Sequence, residues 1–268
     1  MLVWLLKTKR SMKKLLLFSF LLACCHVIDV QAQLFGGQLK STVSAYAPGT
    51  VHCNPQNRTA VVEVTNPVTN RTWMDRNLGA TRVATSTTDA EAFGDLYQWG
   101  RRADGHQCRN SLTTSTRSSV DQPTGGRFIT VTSTTGDWRE PQNDAFWQGV
   151  AGINNPCPQG FRIPTEDEVR DERRTWTNQS NVGAFNSTLK LPMAGWRDEA
   201  GVVSLTAQGS SYGFIWTSTD SGIVPTTADP NIQYKSDALA YFSGNAFENP
   251  YFRARGYSVR CIKKLAAE

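Results

Sequence analysis

What most restricts the folds open to this chain is the placing of four cysteines, Cys53, Cys108, Cys157 and Cys261. They stand 55, 49 and 104 residues apart, with no close Cys-x-x-Cys pair of the kind a structural zinc site uses. In an oxidising compartment such a set reads as disulfides. Four cysteines allow three pairings, and their spacing does not choose among them.

The first 32 residues indicate the compartment. Lys7, Lys9, Arg10, Lys13 and Lys14 precede the apolar run Leu15 to Cys25. A short basic region, a short apolar core and the exit Val30-Gln31-Ala32 make a secretory signal. The run falls short of the roughly 20 residues that span a bilayer, so no transmembrane segment is expected. We place cleavage after Ala32 and the mature start at Gln33. A second reading takes Leu21-Leu22-Ala23-Cys24 as a lipoprotein signal, with Cys24 acylated and the protein tethered to an outer membrane. Both put the protein outside the cytoplasm, whether secreted, periplasmic or at the cell surface.

Export changes the charge argument. The chain holds 28 Lys and Arg against 23 Asp and Glu; without the five bases and one acid of residues 1–32, 23 stand against 22. A near-neutral mature chain offers no basic face for nucleic acid. The cluster Arg170, Arg173 and Arg174 is interleaved with acids and reads as a solvated helix face.

The pattern changes along the chain. Residues 33–59 are a polar lead-in segment. Ala60–Val64 and Arg71–Asp75 are predicted strands joined through Asn66-Pro67-Val68-Thr69-Asn70, a hairpin. Thr88 with Glu91 predicts a cap for a short helix between Asp89 and Trp99. Residues 101–137, rich in Ser, Thr, Gly and Arg, read as a long surface-running insertion with one strand-like stretch, Phe128 to Thr132. Asn143 or Asp144 is expected to cap a helical turn through Trp147. Thr165 with Glu168, acids early and arginines late, predicts a helix from about Glu166 to Trp176. Strands are then expected at Leu189–Trp196, Tyr212–Thr217, Ala238–Phe242 and Gly256–Ile262.

Catalytic signatures are sparse. After the leader only His52 and His106 remain, and both read as surface residues. No Gly-x-Ser-x-Gly or His-Glu-x-x-His occurs. Glu140-Pro141-Gln142-Asn143-Asp144 is similar to a sugar- and calcium-binding Glu-Pro-Asn signature, but Gln142 breaks the pattern and a turn is the better account. No cofactor or metal is predicted. Calcium is the one ion for which Asp229, Asn231 and Asp237 offer hard oxygen donors, with ordinary solvated loops as the plainer reading.

The C-terminal half carries the candidate site. Tyr212, Phe214 and Trp216 alternate, so a strand places them on one face. Asn231, Tyr234, Asn245, Phe247, Asn249 and Tyr251 follow among turn residues. Amphipathic rings and adaptable amides suit recognition. We take Tyr212, Trp216, Asn231, Tyr234, Asn245, Phe247, Asn249 and Tyr251 as ligand-binding candidates. The competing account puts the rings in the core and the asparagines in turns.

Four stretches are family-like. Asn66 to Ala80 (NPVTNRTWMDRNLGA) and Gly94 to Arg101 (GDLYQWGR) closely resemble the opening of the Fibrobacter succinogenes major paralogous domain. Asn155 to Glu166 (NPCPQGFRIPTE) resembles its middle and Gly256 to Cys261 (GYSVRC) its end. The likeness spans residues 60–264, and the family occurs in exported proteins of Bacteroidetes-like bacteria. Its middle and end are similar to the formylglycine-generating-enzyme branch of the C-type lectin-like fold. The resemblance implies an α+β domain with a twisted, mostly antiparallel sheet, few helices and long loops. It also implies the disulfide Cys157–Cys261 and, with it, Cys53–Cys108. The enzymes of that branch use two close cysteines near the C-terminus or several histidines; this chain has neither, so no catalysis is expected. The resulting expectation is an exported or cell-surface binding module that recognises a glycan or a protein ligand through its C-terminal loops. Alternatives are a structural subunit of a surface fibre or envelope assembly, and an enzyme modifying polysaccharide or protein. The oligomeric state stays open.

Overall fold

The computed structural model describes residues 45–132, 135–207, 210–223 and 234–265. In chain order the strands are β1 (Glu63–Thr65), β2 (Thr72–Met74), β3 (Tyr97–Gln98), β4 (Thr113–Thr114), β5 (Phe128–Ile129), β6 (Phe161–Arg162), β7 (Trp196–Arg197), β8 (Val203–Ser204), β9 (Thr206–Ala207), β10 (Ser210–Ile223), β11 (Tyr234–Phe242), β12 (Asn245–Phe252), β13 (Gly256–Tyr257) and β14 (Ile262–Lys263). Two α-helices, α1 (Glu166–Arg174) and α2 (Asn181–Asn186), and a 3-10 turn at Ala90–Ala92 accompany them. The architecture is mixed but strand-dominated. Three sheets run in the orders β1-β2-β14-β6, β12-β11-β10-β9 and β3-β13-β7-β8, and β4 pairs with β5. Among the strand pairs only β4–β5 is parallel.

The first hairpin forms where the turn residues ask for it. The Asn66 side chain accepts from the Val68 amide at 2.8 Å, and Asn70 takes the left-handed backbone (φ 54°) that asparagine tolerates. Trp73 is thereby set opposite Val64 on one side and Ile262 on the other.

Helix α1 starts on the expected capping box: the Glu168 amide donates to Thr165 Oγ1 and the Thr165 amide to Glu168 Oε2. Its polar face is less solvated than its composition implies. Glu168 and Glu172 are buried. Glu168 receives Arg162 at 2.7 and 2.9 Å and Arg71 at 2.8 Å, and Arg173 grips Glu248 of β12 with two hydrogen bonds at 2.6 and 2.8 Å. The alternating charges tie the helix to its neighbours.

Other expectations need correction. The cap before Ala90 is Asp89, whose carboxylate accepts from the Glu91 amide, and it opens one 3-10 turn only. Residues 101–137 run over the surface only in part: residues 110–127 are mostly exposed, whereas Ala103, Phe128, Ile129 and Val131 are core residues, and His106 and Gln107 are buried. No helix forms at residues 143–147; the Asn143 side chain caps a turn through the Ala145 amide, and Trp147 has φ 62°. Of Leu189–Trp196 only Trp196 lies in a strand, and Gly256–Ile262 divides into β13 and β14.

Cys157 pairs with Cys261 and Cys53 with Cys108. Closing the 104-residue loop stabilises the fold by about 4.7 kcal/mol in the chain-entropy account. The segment around Cys53 is also held by the Val51 amide on Ala103 O at 2.8 Å, and Gln159 donates to Ala45 O at 2.7 Å. Among the described residues no helix is long and apolar enough to cross a membrane.

Candidate functional site

Strands β10, β11 and β12 form an antiparallel sheet whose register sorts the C-terminal aromatics onto one side. Tyr212 lies opposite Phe242, Phe214 opposite Ala240 and Trp216 opposite Ala238. Across the next ladder Ala238 faces Asn249, Ala240 faces Phe247 and Phe242 faces Asn245, with Ser236 beside Tyr251. Residues directly paired, and those two apart on one strand, share a face. Tyr212, Trp216, Asn245, Phe247, Asn249 and Tyr251 therefore stand together on one surface of the sheet.

The opposite surface carries Ile215, Leu239, Tyr241 and Ala246, which pack with Val169 and Trp176. Tyr241 lies across Gly213, where an added Cβ would come within 2.2 Å of the ring, and its hydroxyl donates to Pro192 O at 2.7 Å.

Depth varies along the aromatic side. Trp216 is fully buried, tilted against Tyr257 at 4.5 Å, and its indole N–H donates to Tyr97 O at 2.7 Å. This corrects its candidacy: Trp216 has no free surface or free donor to offer a ligand, because β13 covers it. From there the rings climb outward. Phe214 stacks on Tyr257 at 4.4 Å, Tyr251 meets Phe214 edge-on at 5.5 Å, and Tyr212 lies parallel to Phe214 at 6.0 Å. Ala238 and Ala240 give the central strand no bulk here, so Phe214 of β10 and Tyr251 of β12 meet over β11. At the outer end Tyr212, Phe242, Phe247, Tyr251 and Trp196 are half-buried, and Asn245 and Asn249 are exposed.

Trp196 comes from β7, sits edge-on to both Tyr212 and Phe214, and was not among the sequence candidates. Nothing in its local pattern marks it; it joins the face because β7 pairs with β13. Phe242, opposite Asn245, ends the ledge. Arg255 lies in the same neighbourhood, paired with Glu199 at 2.7 and 3.2 Å. Burial raises the Tyr251 phenol above its ordinary value, with Arg255 and the Asn249 side chain opposing, so the hydroxyl stays protonated at neutral pH.

Two of the candidates fall elsewhere. Asn231 lies outside the described residues. Tyr234 begins β11, and its side chain lies outside them also. Of the three oxygen donors weighed for calcium, Asp229 and Asn231 lie outside the described residues. Asp237 belongs to strand β11 rather than to a loop.

The histidine reading is corrected too. His106 is fully buried, not on the surface. Its Nδ1 lies 2.7 Å from Asp104 Oδ1, and its Nε2 accepts from the Gln98 amide at 3.0 Å. Burial and the nearby Arg101 charge push it down to about 4, so the ring is neutral at pH 7 and both nitrogens are engaged. Three polar side chains of residues 140–144 have partners within the chain: Glu140 pairs with Arg117, Asn143 donates to Asp121 and Asp144 pairs with Arg253, with Glu140 and Asp144 still exposed.

Comparison of the chain with family models, curated proteins and solved structures found no match.

Proposed function

We propose that this chain is an exported binding module of the Fibrobacter succinogenes major paralogous type, on a C-type lectin-like scaffold, whose ligand is a glycan. The observation that carries the reading is the half-open aromatic ledge on the β10–β12 sheet. There Trp196, Tyr212, Phe242, Phe247 and Tyr251 are left partly uncovered beside two exposed amides, Asn245 and Asn249. Rings of this kind give apolar area to the C–H face of a sugar while phenols and amides bond its hydroxyls. Strands rather than loops hold the ledge, so little ordering entropy opposes binding. The leader, the two disulfides and the four family-like stretches support a place outside the cytoplasm.

The test is a glycan-array screen of the oxidised mature chain, with and without calcium, followed by Phe247→Ala and Tyr212→Ala. Reproducible binding weakened at least tenfold by either substitution, about 1.4 kcal/mol, is the expected result. A silent array under both conditions overturns the glycan reading. Binding that both variants retain moves the site off this face.

A further inference from the structure

Asp95 is a largely buried carboxylate that feels the Arg109 charge but has no hydrogen-bond donor of its own among the described residues. It is 7% exposed, and among the described residues it has no side-chain hydrogen bond and no ion pair. Its own amide binds Leu78 O at 2.9 Å, which fixes the backbone beneath it. The carboxyl group lies over Gly79, where an added Cβ would sit 2.2 Å from its carbon. That glycine has φ +84°, a backbone that other side chains resist, so the space is built for the carboxylate.

Asp95 lines an open pocket whose enclosed volume is about 10 Å³, room for one water-sized group, with Tyr46, His52, Cys53, Arg58 and Tyr97 among its walls. It is the pocket's only acidic side chain. Burial pushes Tyr46 up to about 12 and Tyr97 well above its ordinary value, so both phenols are neutral. Burial and Arg58 lower His52, which is neutral as well. The charges around the pocket are engaged elsewhere. Arg109 gives its hydrogen bonds to Gly94 O and Ala194 O, Arg76 is paired with Asp75, and Asp104 holds Arg101 and His106. Arg58 stands exposed at the rim.

An ionised carboxylate largely withdrawn from water and without a hydrogen-bond donor of its own is costly. What relieves it is a compact cation with several N–H donors, and neutral phenol rings are walls that such a cation favours. We propose that this pocket binds a primary ammonium group, with Asp95 as its counter-charge and Tyr46 and Tyr97 as its walls. The site uses none of the side chains of the aromatic ledge and does not depend on the glycan reading.

The chemistry makes binding proton-linked. Burial, opposed by Arg109, raises Asp95 to about 7, and only the ionised form attracts an ammonium. Its ionised fraction rises about tenfold between pH 6 and pH 8, and affinity rises with it.

The probes are n-butylammonium, the neutral n-butanol, and the lysine analogue Nα-acetyl-lysine N-methylamide. Each is titrated into the oxidised full chain at pH 6 and pH 8 while the Asp95 carboxyl resonance is followed by NMR. Saturable shifts with butylammonium, about tenfold tighter at pH 8 and absent with butanol, are the expected outcome. Asp95→Asn is expected to abolish them. A lysine analogue that binds more tightly than butylammonium identifies a peptide side chain as the source of the amine; equal affinity identifies a free amine. Equal binding of butanol, no saturable shift at either pH, or undiminished binding by Asp95→Asn overturns the proposal. The pH dependence in the unaltered chain keeps the test decisive should the variant fail to fold.

Discussion

The two faces of the β10–β12 sheet come from the same three strands and reach different ends. On one, Ile215, Leu239, Tyr241 and Ala246 lie under α1, and the Arg173–Glu248 pair clamps the helix to the outer strand. On the other, the rings begin buried at Trp216 and finish half-open at Tyr212 and Phe247. A strand alternates its side chains impartially; what separates a core face from a contact face is what the rest of the chain lays over it. Here a helix closes one side completely, and two short strands, β7 and β13, close only the inner part of the other.

The sharpest way to break this contrast is Leu239→Ala. A buried leucine on the closed face is expected to cost about 3 kcal/mol, read as a lower urea midpoint. A change below about 1 kcal/mol would show that the helix side is not the sealed one. Next is Glu248→Gln, which leaves Arg173 without its charged partner at a nearly buried site. About 2 kcal/mol is expected, again by urea unfolding, with no loss of ledge binding.

A smaller effect tests Glu172, one of the two buried acids of α1. Burial raises the Glu172 carboxyl above its ordinary value, although Asn66 donates to it at 2.7 Å. A raised acid contributes stability that is complete below its unfolded value and lost as pH rises through the folded one. Glu172→Gln should therefore melt progressively higher than the parent as pH increases from about 4 to 7. An offset that does not change with pH would remove burial as the cause. The smallest effect on stability belongs to the open side: Asn249→Ala should alter it by no more than about 0.5 kcal/mol while weakening glycan binding on the array. A large loss of stability would mean that this amide is structural.

How much of this was legible depends on how local the cause was. The Asn66–Asn70 turn and the Thr165–Glu168 capping box are decided within a few residues, and both form as expected. Alternation placed Tyr212, Phe214 and Trp216 on one face, but alternation carries no depth. Trp216 is covered by Tyr257, forty-one residues later, so the sequence could not separate it from Tyr212. Trp196 reaches the ledge only through the pairing of β7 with β13. The stretch 101–137 misled because its many Ser, Thr and Gly outweigh Phe128, Ile129 and Val131. Those few apolar residues bury its later end while residues 110–127 stay mostly exposed, and Gln98 pairs with the Ile129 backbone in both directions. His106 seemed peripheral because a neutral buried histidine leaves no mark in composition.

The sheet order β1-β2-β14-β6 has a temporal side. Among the described residues the first hairpin and β6 share this sheet only through Ile262 and Lys263 of β14. Such distant pairing makes folding slow, and here the sheet stays unfinished until β14 joins it. Cys157 waits equally long for Cys261. Completion of the sheet and closure of the long disulfide loop thus depend on the same stretch, Cys261 to Lys263.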